Sequence, residues 1–75
     1  MDIFELMKNA VGCEYISDLR NEPYWSEANY LLASLSLDNY SFSELCDLSE
    51  YLYGRSYFES QEAAISFLRS EKVAL

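Results

Sequence analysis

Few side chains in this sequence belong to the types that perform catalysis. The 75 residues include no histidine, the side chain that most often serves as a general base near neutral pH. The amines are Lys8, on a predicted solvent-facing segment, and Lys72, near the end of the sequence. Paired carboxylates need a cleft, and a chain of this length has little surface from which to form one. We therefore expect no catalytic residue, no cofactor and no enzymatic activity.

The two cysteines are predicted to be packing residues. Cys46 stands among Glu44, Asp47 and Glu50 in the sequence, and negative charge disfavours the thiolate that a nucleophilic cysteine needs. A zinc site needs clustered Cys or His ligands, and Cys13 is too distant in sequence to complete a CxxC pair. No calcium-binding loop or glycine-rich phosphate loop occurs either. We expect no metal site.

The overall composition predicts one small folded domain over residues 1–75. Apolar residues make up 51% of the chain, with two glycines and one proline, which is too apolar for a disordered segment and too short for a second core. The first residues lack the basic and apolar segments of a signal peptide, and no apolar run approaches the roughly 20 residues of a membrane span. We expect a cytoplasmic protein with free thiols.

The charge of the chain is strongly acidic and unevenly distributed. A net charge of −8 argues against direct binding of nucleic acid or of an anionic membrane, because both need Lys and Arg. Residues 1–50 hold ten acids and two bases, a net of −8, whereas residues 51–75 hold three of each. From Asn21 through Gly54 there is no Lys or Arg, and the acids of that stretch are Glu22, Glu27, Asp38, Glu44, Asp47 and Glu50.

This segregation of charge predicts a basic protein partner. Surface acids are usually interspersed with bases, because repulsion between like charges costs stability. Glu44, Asp47 and Glu50 are three residues apart, about 4.5 Å of rise along a helix, which is close to the roughly 3.4 Å between phosphates of a nucleic-acid strand. Such a surface fits a basic groove that ordinarily holds DNA or RNA. The alternative is that the acidity serves only solubility.

Aromatic residues are the second unusual feature. The chain has seven tyrosines, four phenylalanines and one tryptophan, more large rings than a core of this size can bury, since each ring carries roughly 150–250 Å². Trp25 is predicted to lie in the core, whereas Tyr30 and Tyr51 fall on polar helix faces beside acids. The alternative is that their rings cover helix seams. The predicted partner-binding residues are Glu27, Tyr30, Asp38, Glu44, Asp47, Glu50 and Tyr51.

Helical periodicity dominates the first half of the chain. Apolar spacing predicts a helix over residues 2–11, with Asp2 as its N-cap and Gly12 as its stop. The segment Cys13–Asn21 predicts a turn or two of helix packed by Ile16 and Leu19.

The next element is predicted to be the central core helix. Pro23 suits the first turn of a helix, and the apolar residues of Tyr24–Leu35 fall on one arc of about 120°. The pair Asp38-Asn39 predicts the turn that follows.

The second half predicts two further helices and a connector. The S-x-x-E pattern at Ser41–Glu44 is a capping box that begins a helix, and Gly54 ends it. The next helix is predicted over Ser60–Ser70, with its N-cap at the first serine. Arg55–Glu59 connects the two, and a short strand pairing with Val73–Leu75 lacks a turn signal. The fold class is all-α, a compact single domain of four to five short helices.

Three classes of function fit this description to different degrees. The leading hypothesis is a helical binding protein, in its sharpest form a stoichiometric inhibitor that occupies a nucleic-acid groove, as the anti-CRISPR and anti-restriction proteins of phages and mobile elements do. The alternative is a structural or regulatory subunit that forms a homo-oligomer or joins an assembly through an apolar patch. The two helices after Ser41 also resemble a helix-turn-helix, but the second helix is too nearly neutral to contact DNA.

Overall fold

The structure, a computed structural model, describes residues 2–71 of the chain, with side chains through residue 70. The helices of this range are α1 (Ile3–Val11), α2 (Tyr24–Leu31), α3 (Phe42–Tyr53) and α4 (Gln61–Ser66). Short 3₁₀ helices, Ile16–Arg20 and Leu37–Asn39, lie before α2 and before α3, and α4 continues as a π-helical turn, Phe67–Glu71. No strand occurs between residues 2 and 71, and the predicted all-α fold of one compact domain is confirmed.

Helix α1 begins and ends where its capping residues predict. The Asp2 carboxylate accepts a hydrogen bond of 2.9 Å from the backbone N–H of Glu5, which satisfies one of the free donors of the first turn. Gly12 has a φ of 85°, a left-handed backbone conformation that residues with a side chain rarely adopt. Its N–H donates to the Lys8 carbonyl. Ile3 and Met7 are the buried residues of this helix.

Helix α3 is the longest helix of the described chain and supplies the centre of the core. The Ser41 hydroxyl accepts from the Glu44 N–H at 3.1 Å, and Gly54 ends the helix with a φ of 79°. One face of α3 is buried, and its buried residues are Leu45, Leu48, Ser49, Leu52 and Tyr53. The first turn departs in part from the predicted apolar arc, because Phe42 is 38% exposed.

Helix α2 is shorter and less central than the sequence predicts. It ends at Leu31, four residues before the predicted end, because the next residues form tighter bonds from Ala33 and Ser34 to carbonyls three residues earlier. The Ser34 hydroxyl also donates to the Leu31 carbonyl, which satisfies one of the carbonyls at the helix end. Ala28 is the one fully buried residue of α2 itself, so the central position belongs to α3.

Aromatic side chains join α2, α3 and the C-terminal region. Trp25 is half-buried, and its indole N–H donates to the Leu52 carbonyl at 3.2 Å. The Tyr53 ring stands edge-on to both Trp25 and Phe67, with centroids 5.8 and 5.7 Å apart, and its hydroxyl donates to Asn29 Oδ1 at 2.7 Å. The predicted core position of Trp25 is therefore confirmed in part, since its polar edge has a partner in α3.

The connector between α3 and α4 is non-helical, as predicted. Its Arg55 guanidinium lies 4.6 Å from the Phe58 ring centroid and 4.9 Å from that of Phe67. Ser60 caps α4 by accepting from the Ala63 N–H. The considered pairing of this connector with Val73–Leu75 lies outside the described residues.

Candidate functional site

The acidic residues of α3 line its outer face. Burial of the opposite face fixes the rotation of the helix, and Asp47 and Glu50 are left exposed while Glu44 is half-buried. Because three residues advance a helix by about 4.5 Å and turn by about 300°, each carboxylate lies about 60° around the helix from the one before, and the three form an oblique row. We call this row the acidic ridge.

The carboxylates of the acidic ridge form no close ion pair with the described part of the chain. Among residues 2–71, none of Glu44, Asp47 and Glu50 forms an ion pair within 4.0 Å. Neighbouring like charges on one helix face repel, at a cost of a few tenths of a kcal/mol per pair. The ridge is thus a concentration of negative charge on one helix.

A shallow depression of about 440 Å³ adjoins the C-terminal half of the ridge. It is lined by Phe4 of α1, Arg20 of the first 3₁₀ helix, and Asp47, Glu50 and Tyr51 of α3. We call it the Tyr51 depression. The Phe4 ring stands edge-on to the Tyr51 ring at 5.7 Å, and the Arg20 guanidinium lies 5.2 Å from the Tyr51 centroid.

Tyr51 is therefore less exposed than its position on the polar face predicts. Phe4 and Arg20 cover parts of its ring, and the residue is half-buried. Neither neighbour is predicted from the sequence, because each lies far from Tyr51 along the chain. The apolar spacing of α1 omits Phe4, and no local pattern indicates which ring an arginine of another element will cover.

The remaining predicted residues do not join the ridge. Glu27 and Tyr30 are exposed on α2, and the Tyr30 side chain is 83% exposed. They lie about 140–200° around the helix from Trp25, which contacts α3. They therefore face away from α3.

Asp38 belongs to a third location. It lines a separate depression of about 600 Å³ with Ser60, Gln61, Glu62 and Ile65. Gln61 is fixed there by donating to the Tyr40 carbonyl at 2.7 Å. The seven predicted residues therefore form three separate groups, and the acidic ridge with Tyr51 is the largest of them.

One acid of the base-free stretch serves the structure. The Glu22 carboxylate accepts hydrogen bonds from the Ser26 hydroxyl and from the Ser26 backbone N–H. These bonds lower the pKa of the Glu22 carboxyl, because they favour its charged form. Glu22 thus contributes to the start of α2, and its charge is not evidence of a binding surface.

The cysteines are free thiols in packed positions. Cys13 is buried, and its sulfur lies 3.3 Å from the Tyr15 carbonyl oxygen. Burial, and next the charge of Asp47, raises the pKa of the Cys46 thiol, which leaves it a poor nucleophile. Among the described residues, no group of three Cys, Asp or Glu side chains is placed to hold a metal ion.

No protein-family model matches the chain, and no curated protein and no solved structure matches it. Within residues 2–71, no helix is both long enough and apolar enough to cross a membrane. The fold and the surface themselves therefore define the class: a small all-α domain with an acidic ridge beside a shallow aromatic depression.

Proposed function

We propose that this chain is a non-enzymatic binding protein whose acidic ridge docks on a basic protein surface. The observation that carries the proposal is the row of Glu44, Asp47 and Glu50, which has no ion pair among residues 2–71. The row lies on a rigid helix that is capped at both ends and anchored by five buried residues. A fixed row of charges loses little conformational freedom when a partner binds.

The energetics favour a partner that carries positive charge. Repulsion along the ridge is relieved when Lys or Arg side chains approach it, and close charge pairs across interfaces contribute about 1.5–7 kcal/mol of coupling in favourable cases. Binding of this kind weakens steeply as salt screens the charges. The spacing of the carboxylates, about 4.5 Å of rise, further favours a groove that ordinarily holds nucleic acid, so the protein acts as a stoichiometric inhibitor of a nucleic-acid-handling protein.

A second candidate function is supported by the exposed tyrosines. Tyr30 is 83% exposed and Tyr57 is 75% exposed, and rigid aromatic side chains are favoured at the centres of protein interfaces. Under this alternative the chain is a regulatory or structural subunit that docks through these rings. Its binding would resist salt, which separates it from the ridge model.

The test compares two triple variants of equal charge. The ridge variant is Glu44→Gln, Asp47→Asn and Glu50→Gln. The control variant replaces the exposed Glu14, Glu59 and Glu62 with Gln. Each variant removes three negative charges and takes the net charge from −8 to −5, so a difference between them reports the position of the charges and not their number.

Each immobilised variant is incubated with lysate of the source cells at low and at high salt, with and without added duplex DNA. The proposal predicts a protein that the wild type and the control variant retain at low salt, that the ridge variant does not retain, and that the DNA displaces. Equal retention by the ridge variant would refute the ridge as the docking surface. Retention that resists salt and is lost in Tyr30→Ala would favour the second candidate.

A further inference from the structure

We propose that the Tyr51 depression is a guanidinium-binding site, which Arg20 covers in the free protein and which an arginine of the basic partner occupies in the complex. This inference rests on the proposed function, since it specifies the chemistry of the partner at one end of the acidic ridge. The Arg20 contact is therefore autoinhibitory, because it covers the site that the partner arginine occupies. Arg20 must leave the Tyr51 ring before the partner can bind there.

The contact of Arg20 shows which chemistry the depression accepts. The guanidinium lies 5.2 Å from the centroid of the Tyr51 ring, within the distance at which a cation is attracted to the face of an aromatic ring. Phe4 stands edge-on to the same ring, with an angle of 81° between the ring planes, and holds Tyr51 in place. The ring is therefore a fixed platform, and in the free protein a guanidinium already lies over it.

Arg20 contacts the ring of the depression but does not pair with its carboxylates. Asp47 and Glu50 line the same depression, yet among residues 2–71 Arg20 forms no ion pair with either carboxylate. Arg20 is also exposed, so water competes for its guanidinium. Because its contact with the Tyr51 ring is a weak one at the surface, Arg20 can be displaced by a side chain that makes more contacts.

An arginine from a partner can make those additional contacts. Its planar guanidinium can stack on a ring while its N–H groups donate in a fork to a carboxylate. A lysine ammonium has no planar face to stack and is more strongly hydrated, so it gains less. Phosphate is repelled by the two carboxylates. The chemistry of the site thus selects a protein arginine.

The first experiment follows the Arg20 side chain directly. In ¹⁵N-labelled wild-type protein, the Nε–H signal of Arg20 is expected to be shifted by the ring current of Tyr51, whose centroid lies 5.2 Å from the guanidinium. We titrate with hexa-arginine and, separately, with hexa-lysine. The inference predicts that hexa-arginine binds more tightly and moves the Arg20 signal towards the position of an unstacked arginine. An Arg20 signal that does not move at saturation, or a failure of hexa-arginine to bind, would overturn the inference.

The second experiment removes the competitor. Arg20→Gln is compared with Arg69→Gln, which removes the same charge from an exposed arginine whose side chain donates to the Leu35 carbonyl. Loss of a surface cation–π competitor predicts that Arg20→Gln binds hexa-arginine about two- to fivefold more tightly than Arg69→Gln does. Equal affinities would contradict a contact that competes with the partner.

The ridge variant separates this inference from the proposed function. If hexa-arginine binding is lost in the ridge variant but is the same in Arg20→Gln and Arg69→Gln, the acidic ridge binds basic partners and the role of Arg20 is refuted. If binding is unchanged in the ridge variant as well, both the inference and the ridge model fail.

Discussion

Ser49 is the one buried polar side chain of the described core without a hydrogen-bond partner there. The residue is 0% exposed, and its Oγ has no partner among the described residues. An unsatisfied buried hydroxyl costs about 1–3 kcal/mol, so Ser49→Ala is expected to raise the free energy of unfolding by about 1 kcal/mol in urea titrations. Ser43→Ala, at an exposed position of α3, is the control. Its free energy of unfolding should rise only by the roughly 0.3–0.5 kcal/mol that the higher helix propensity of alanine supplies. A loss of stability in Ser49→Ala would mean that the hydroxyl is satisfied.

Tyr53 is expected to make the free energy of unfolding depend on pH in the alkaline range. Burial raises the pKa of its hydroxyl above the ordinary value of 10.0, so the unfolded chain ionises Tyr53 before the folded chain does. The unfolded state then binds fewer protons, and the free energy of unfolding falls as pH rises above about 10. Tyr53→Phe is expected to lose part of this fall, and to cost about 1 kcal/mol at neutral pH because the bond to Asn29 is removed.

Urea unfolding at pH 8 and at about pH 11 measures this effect. Tyr30→Phe is the matched control, because its side chain is 83% exposed and its hydroxyl is already hydrated. The difference in stability between the two pH values should be smaller in Tyr53→Phe than in Tyr30→Phe. Equal differences would show that Tyr53 does not titrate differently in the two states.

At the scale of elements, Arg55 fastens the connector to the core. Its guanidinium contacts the rings of Phe58 and Phe67, and its Nε–H donates to the Tyr57 carbonyl at 3.4 Å. Arg55→Lys keeps the charge but loses the planar stacking. We expect it to cost about 1 kcal/mol and to speed chymotrypsin cleavage beside Tyr57. Arg69→Lys is the control. Unchanged cleavage in Arg55→Lys would contradict this role of the stacking.

The elements also show how far local sequence determines this fold. Asp2, Ser41 and Ser60 begin helices where predicted, because an N-cap bonds a backbone N–H only a few residues away. The end of α2 was predicted wrongly, because no glycine or proline marks it. That end depends on the tight turn after Leu31 and on the bond from Ser34, which the apolar spacing does not reveal.

The candidate site was predictable only where it lies on one element. The acidic ridge follows from the period of α3 alone, since burial of one face exposes the other. The Tyr51 depression does not, because Phe4 and Arg20 reach it from elements far away in sequence. Contacts of this kind depend on how three elements pack together. The local sequence pattern of one element does not predict which residues of the other elements will contact it.

At the scale of the whole molecule, net charge sets a balance between stability and binding. Thirteen acids against five bases give −8, and self-repulsion on that scale destabilises a compact state. A domain of this size has only roughly 3–5 kcal/mol of stability from its core. An acidic surface is therefore costly here, as we expect of a surface held for the proposed partner.

The two triple variants test whether the ridge acids serve the fold. At low salt the ridge variant is expected to gain about 0.3 kcal/mol over wild type, because the relief of repulsion between neighbours on one helix face exceeds the loss of Glu44 from the first turn of α3. The control variant also loses a first-turn acid, Glu62 of α4, but Glu14 and Glu59 belong to no such row, so it should not gain. At about 1 M salt the Debye length shortens to roughly 3 Å, and the gain should vanish. Thermal unfolding followed by circular dichroism measures all three proteins. A ridge variant that melts below wild type at both salt concentrations would show that these carboxylates stabilise the fold, and would contradict a role for them in partner binding alone.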